Sequence, residues 1–313
     1  MIGKVCYPRT TMKLQGCGTA LITPFNKDQS IDEDALRRLV EWQIDSGIHF
    51  LVPCGTTGET PTLSKDEWLR VIDITIEVAA GRVPIVGGAT SNSTADAVEK
   101  AKELARRKGV DAILTASPYY NKPTQEGQYQ HFKAIAEAVE KPLMLYSVAG
   151  RTGVNIEPAT LGRLAKIPNI VAVKEASGNI GQIAEVFSHV PENFLVFSGD
   201  DAVTLPVISL GGVGIVSVAS NEIPREMSEM TCAALSNDWK KAQTIQRKFV
   251  RLMQANFIES NPMPVKAVLA MMGRIEEIYR LPMLPMKKET RAKLQQVAAE
   301  AGLLNGHASV SDF

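Results

Sequence analysis

The chain has 313 residues, with 34 Lys and Arg against 34 Asp and Glu, so its formal net charge is zero. A neutral balance with no clustered Lys or Arg lacks the electrostatic footprint of a nucleic-acid binder or of a protein that docks on anionic lipid. At 45% hydrophobic and 22% charged side chains, the composition is that of a globular protein with a sizeable core in one or two domains, whose expected partners are small molecules or further copies of itself.

The four cysteines (Cys6, Cys17, Cys54, Cys232) are too dilute for a disulfide framework and form no C-x-x-C pair, which points to a reducing, cytoplasmic setting. The N-terminal segment lacks the apolar core of a secretory signal. Residues 202–221 carry no charge and match a membrane span in length. Pro206, the glycines at 211, 212 and 214, and several Ser and Thr favour a buried helix followed by a buried strand instead.

In chain order, short apolar runs alternate with helix-like segments. The run 17–23 precedes a helix over 31–46, where Leu36, Leu39, Val40 and Ile44 share one face. Runs 49–54, 84–89 and 111–116 lead to helices over 65–80, 94–108 and 125–139. Runs 142–147, 169–176 and 194–199 lead to helices starting at Pro158, Ile180 and Asp201, and 213–219 is the eighth run. Eight strand–helix units fit a doubly wound sheet or a closed barrel. Their number, even spacing and lack of a G-x-G-x-x-G after the first strand favour a (β/α)8 TIM barrel. The barrel is expected over residues 1–225, including a short N-terminal extension. No strand signal follows, so residues 226–313 read as a C-terminal helical domain with helices near 226–258, 263–272 and 287–303, broken at Pro262, Pro282 and Pro285.

Reactive groups of such barrels sit at the C-terminal ends of the strands. The candidates there are Gly55–Glu59, Pro118–Asn121, Tyr146 with Arg151 and Thr152, Lys174 with Glu175, and Ser198–Asp201. Lys174 closes an apolar strand, either as a surface lysine paired with Glu175 or as a Schiff-base nucleophile. Only the neutral amine attacks a carbonyl, and at an ordinary pKa about one lysine in 2,500 is neutral at pH 7, so desolvation would be required. Hydroxyls from three strand ends, Tyr146, Thr56 and Tyr120, could relay protons around it. Four dispersed histidines offer no metal-ligand spacing, and neither a P-loop nor a G-x-S-x-G elbow occurs.

Six ordered motifs, G-T-T-G-E (55–59), P-Y-Y-N-K-P (118–123), Y-S-V-A-G-R-T-G (146–153), V-K-E-A-S-G (173–178), S-G-D-D (198–201) and N-P-x-P-V-K (261–266), resemble those of the class I pyruvate-dependent lyases. That family is typified by dihydrodipicolinate synthase and N-acetylneuraminate lyase. Thr56–Thr57, the paired tyrosines and Arg151 are most similar to the first of these. The resemblance implies that Lys174 forms a Schiff base with pyruvate, with Tyr146 as proton shuttle. It further implies that Thr56 links Tyr146 to Tyr120, the latter supplied by an adjoining subunit. Thr57 and the Ile215 backbone would hold pyruvate, and Arg151 the carboxylate of aspartate semialdehyde. The implied product is 4-hydroxy-tetrahydrodipicolinate, on the route to diaminopimelate and lysine. A homotetramer without metal or organic cofactor is expected.

The family's usual Y-N-V-P-x-R-T run reads Ser147 and Ala149 here, so the Arg151 loop lacks its proline, which leaves a sugar acid or 4-hydroxy-2-oxo acid as an alternative substrate. Asn92, Asp96 and Tyr119 match or nearly match the family's lysine-effector site. Lys65 and Trp68 replace the histidines of regulated bacterial members, the tryptophan resembling lysine-sensitive plant members. A catalytically silent barrel serving as a binding protein is the alternative of a different class.

Overall fold

The computed structural model describes residues 14–304; the expected N-terminal extension, with Cys6, lies outside the described residues. The first half runs β1 (Gly16–Ala20), α1 (Glu33–Asp45), β2 (Phe50–Val52), α2 (Lys65–Ala79), β3 (Val86–Gly88), α3 (Thr94–Ala105), β4 (Ala112–Ala116) and α4 (Gln125–Ala138). It continues with β5 (Leu143–Ser147), the single-turn α5 (Ala149–Thr152), α6 (Pro158–Leu164), β6 (Ile170–Glu175), α7 (Ile180–His189), β7 (Leu195–Ser198), α8 (Thr204–Ser209) and β8 (Gly214–Ser217). Four helices follow: α9 (Pro224–Leu235), α10 (Trp239–Ala255), α11 (Met263–Met271) and α12 (Lys288–Glu300).

All eight strands are parallel, in the order β2-β1-β8-β7-β6-β5-β4-β3. A parallel bridge between Leu51 and Ile85 brings β2 and β3 together, so the sheet closes into the expected (β/α)8 TIM barrel with a C-terminal helical part. Strand alternation sorts the core into two layers. Phe50, Val52, Leu114, Met144, Ala172, Phe197 and Val216 fill the barrel. Their neighbours Leu51, Ile113, Leu145, Val173, Val196 and Ile215 pack outward on the helices. Lys174 falls in the inward parity with Ala172.

Local sequence explains the helix starts. Asp32 accepts from the Ala35 N–H to cap α1, and Ser64 with Glu67 forms a reciprocal capping box on α2. At Gly214, whose φ is 149°, a side chain would collide with the Gly16 backbone, and at Gly212 with Val207 of α8, so these glycines serve close strand–strand and helix–strand packing.

The uncharged stretch 202–221 holds the expected buried helix and strand, α8 and β8, flanked by 3-10 turns, and among the described residues no helix is long and apolar enough to cross a membrane. One sequence expectation changes: the single helix expected over 226–258 is two. Asn237 takes a left-handed φ of 61°, and Asp238 restarts the helix by accepting from the Lys241 N–H. The first of the two, α9, packs against β1 and β8 as a layer of the barrel wall.

Candidate active site

Tyr146 on β5 and Lys174 on β6 are direct register partners at the C-terminal rim of the barrel. Lys174 Nζ lies 4.4 Å from the centre of the Tyr146 ring. Both side chains are buried. Loss of hydration lowers the Lys174 pKa to about 8; the Asp201 carboxylate opposes this and the Arg151 charge adds to it. Roughly one Lys174 amine in ten is then neutral at pH 7. Burial pushes Tyr146 up to about 12, against the Arg151 charge and a hydrogen bond with Thr56. Its hydroxyl therefore stays protonated at neutral pH.

Glu175 is not the partner of Lys174. Its carboxylate accepts from the Ser177 N–H and hydroxyl and from Gln182 Nε2, and burial raises its pKa. The acid that acts on Lys174 is Asp201, buried at the end of the loop after β7. Burial lifts its pKa to about 6, countered by hydrogen bonds from Ser217 and from the Ala219 and Val218 N–H groups. A Cβ at Gly199 would stand 2.6 Å from Ala176 Cβ and 3.1 Å from Lys174 Cε, so this strand end needs glycine chiefly to pass the Ala176 side chain.

After β2, residues 56–58 and 60–62 form two 3-10 turns. Thr56 is half-buried and Thr57 buried; Thr57 Oγ1 accepts from Asn261 Nδ2 at 3.0 Å. Arg151 sits on the exposed α5 turn, where Nη2 donates to the Asn261 carbonyl at 3.1 Å. This turn forms without the missing proline, because the Val148 carbonyl accepts from the Arg151 and Thr152 N–H groups and the Ala149 carbonyl from Gly153. Ile215 turns its side chain outward, so only its backbone is available at the rim. Tyr120 stands apart at 84% exposure, in a left-handed conformation with φ 74°. The fold thus gathers Lys174, Tyr146 and Thr56, sets Arg151 and Thr57 around them, and leaves Tyr120 on the surface of the single chain. Among the described residues no cluster of three or more His, Cys, Asp or Glu is arranged to hold a metal.

The model of the dihydrodipicolinate synthetase family matches residues 13–301. The chain belongs to that family. The 4-hydroxy-tetrahydrodipicolinate synthase of Koribacter versatilis is 72% identical over 293 residues, covering 94% of this chain and 98% of that protein. Among solved structures, the 4-hydroxy-tetrahydrodipicolinate synthase of the thermoacidophilic methanotroph Methylacidiphilum fumariolicum SolV superposes with a TM-score of 0.90 at 43% identity, covering 93% of this chain and 96% of that one. The lysine-bound enzyme of Cyanidioschyzon merolae gives 0.89 at 39%, covering 93% and 99%.

Four residues of this region carried no role in the sequence: Asp201, Glu59, Asn261 and Lys266. Each lies inside a quoted motif, so the signal was present. The partners of Asn261 and Lys266 lie far away along the chain, Thr57 by 204 residues and Glu59 by 207, and no local pattern announces such pairs.

Proposed function

We propose that this chain is a 4-hydroxy-tetrahydrodipicolinate synthase, a lyase condensing pyruvate with L-aspartate-4-semialdehyde through a Schiff base on Lys174. The observation that carries this is the register pair of Tyr146 and Lys174, which sets a buried amine, drawn toward neutrality, 4.4 Å from the centre of the tyrosine ring. The neutral Lys174 amine attacks C2 of pyruvate. Tyr146 delivers a proton to the oxygen, which leaves as water to give the imine. Loss of a C3 proton gives the enamine, whose C3 attacks the aldehyde carbon while that oxygen takes up a proton. The amine of the semialdehyde moiety then adds to C2, and Lys174 is released as the ring closes.

Thr57 and the Ile215 backbone hold the pyruvate carboxylate. Arg151 binds the semialdehyde carboxylate, a planar anion suited to a guanidinium fork. Tyr120 completes the relay across the interface of a dimer, two of which build a homotetramer. Its exposure and left-handed backbone in the single chain support a residue that is seated by a neighbour. The enzyme acts in the cytoplasm in diaminopimelate and lysine synthesis, and lysine is its effector. A cavity of about 220 Å³ lined by Ser64, Lys65, Trp68, Asp96, Lys100 and Glu103 supports that site, offering carboxylates to an amine and ammonium groups to a carboxylate.

Borohydride reduction in the presence of pyruvate tests the reading. A reduced pyruvyl mass on Lys174 is expected, together with turnover of aspartate semialdehyde. An adduct on another lysine overturns the Schiff-base assignment. Labelling of Lys174 with sugar-acid cleavage, and no semialdehyde turnover, overturns the substrate.

A further inference from the structure

Lys266 on α11 is fully buried, and its ammonium donates to Glu59 Oε1 at 2.6 Å. It lies 4.3 Å from the centre of the Phe25 ring and 5.3 Å from that of Tyr279, which leave it no path to a carbonyl substrate. Glu59 joins the two turns of the threonine loop in a left-handed conformation, with φ 52°. Its N–H donates to the Thr56 carbonyl, and its own carbonyl accepts from the Thr62 N–H. A non-glycine residue holds such a backbone only where its surroundings fix it, and a carboxylate is buried only where a partner meets it. Lys266 meets both needs. Five residues earlier, Asn261 grips the same loop at Thr57 and accepts from Arg151 with its carbonyl. The start of α11 therefore fixes the loop at two points and carries a third contact to the arginine.

We propose that Glu59 and Lys266 form a positioning pair that sets the direction of Thr56 and Thr57 toward Lys174 and Tyr146, touching no reacting atom themselves. The inference rests on the Schiff-base reading above and adds to it residues that bind neither substrate. If burial alone were served, an apolar pair would do as well. Two charges locked at one distance fix the backbone of Glu59, and hence the turn that presents both threonines.

Three full-length variants test it: Lys266→Met, Glu59→Gln, and the two combined. Each is assayed for the rate of borohydride-trapped labelling of Lys174 at subsaturating pyruvate, and for the KM of each substrate and kcat. Lys266→Met is expected to raise pyruvate KM roughly tenfold and slow labelling in proportion, with semialdehyde KM within about twofold of wild type. Adding Glu59→Gln removes the stranded buried charge, so it restores stability but leaves pyruvate KM raised, since no ion pair then fixes the Glu59 backbone. Where Lys266→Met does not fold, Glu59→Gln alone carries the test, because it keeps the shape and an acceptor for Lys266; a rise in pyruvate KM of about threefold is expected. Labelling and pyruvate KM at wild-type values in the folded variants overturn the pair. A wild-type enzyme that pyruvate does not label at Lys174 overturns the Schiff-base reading itself, and the pair with it.

Discussion

The ammonium of Lys174 rests 4.4 Å from the centre of the Tyr146 ring because strand register makes the two residues neighbours across β5 and β6. The contact buries the amine against an aromatic face. It also brings the tyrosine hydroxyl, with its Thr56 partner, to the same rim.

The first consequence concerns pH. Imine formation needs the neutral amine, so its rate should rise from pH 6 to pH 9 with a midpoint near the Lys174 value of about 8. Single-turnover trapping with borohydride across that range measures it, and a midpoint near 10.5, the ordinary lysine value, would show the amine to be hydrated. The same shift affects stability. A folded pKa below the unfolded one means that the cost of burying the ammonium is fully present below about pH 8 and is relieved as pH rises toward 10.5. Lys174→Met removes a cost on the order of 3 kcal/mol at pH 7. It should abolish activity while raising the melting temperature.

Tyr146→Phe keeps the ring against Lys174 and removes only the hydroxyl. We expect kcat to fall about 100- to 1,000-fold, with Lys174 still labelled by pyruvate but slowly. Thr56→Val should cost less, since the tyrosine hydroxyl remains. Steady-state rates beside labelling time courses separate the two, and equal labelling rates in wild type and Tyr146→Phe would remove Tyr146 from imine formation.

Arg151 should act on the second substrate. Arg151→Ala is expected to raise the KM for aspartate semialdehyde by about tenfold or more, with pyruvate KM near wild type and Lys174 labelling slowed only modestly, because the Arg151 charge helps to lower the lysine pKa. Arg151→Lys should rescue only part of this, because an ammonium lacks the planar fork. Unchanged semialdehyde kinetics would take the substrate role from Arg151.

Tyr120 can be tested by complementation. Tyr120→Phe and Lys174→Ala subunits, each impaired alone, should regain activity when dissociated and reassembled together, since a mixed dimer then contains one site with both groups intact. Native mass measurement reports the mixed species. Mixed dimers without recovery would place Tyr120 outside the relay.

Lysine should inhibit wild type in a saturable way, and Asp96→Asn should weaken that inhibition by removing a carboxylate for its amine, with pyruvate KM unchanged. Initial rates over a lysine titration decide this. Inhibition unaltered by the change would mean that lysine binds elsewhere.

The barrel was legible in the sequence because alternating strands and 3.6-residue helices leave local periodicities, and because chemistry on this fold is confined to strand ends. That rule placed Lys174, Tyr146, Thr56, Thr57 and Arg151 on one rim. The break at Asn237 and Asp238 was missed because the apolar pattern runs on through it, and only the left-handed backbone shows the stop.

The sequence by itself determined the barrel, the rim and the residue types on it, since those follow from short-range patterns and motif spacing. Only the tertiary structure decided that Lys174 answers to Asp201 and not to its neighbour Glu175, that α5 forms without a proline, and that Glu59 is bound by a lysine 207 residues away. Burial sets the strength of charges and hydrogen bonds, and burial belongs to the folded chain rather than to any segment of it.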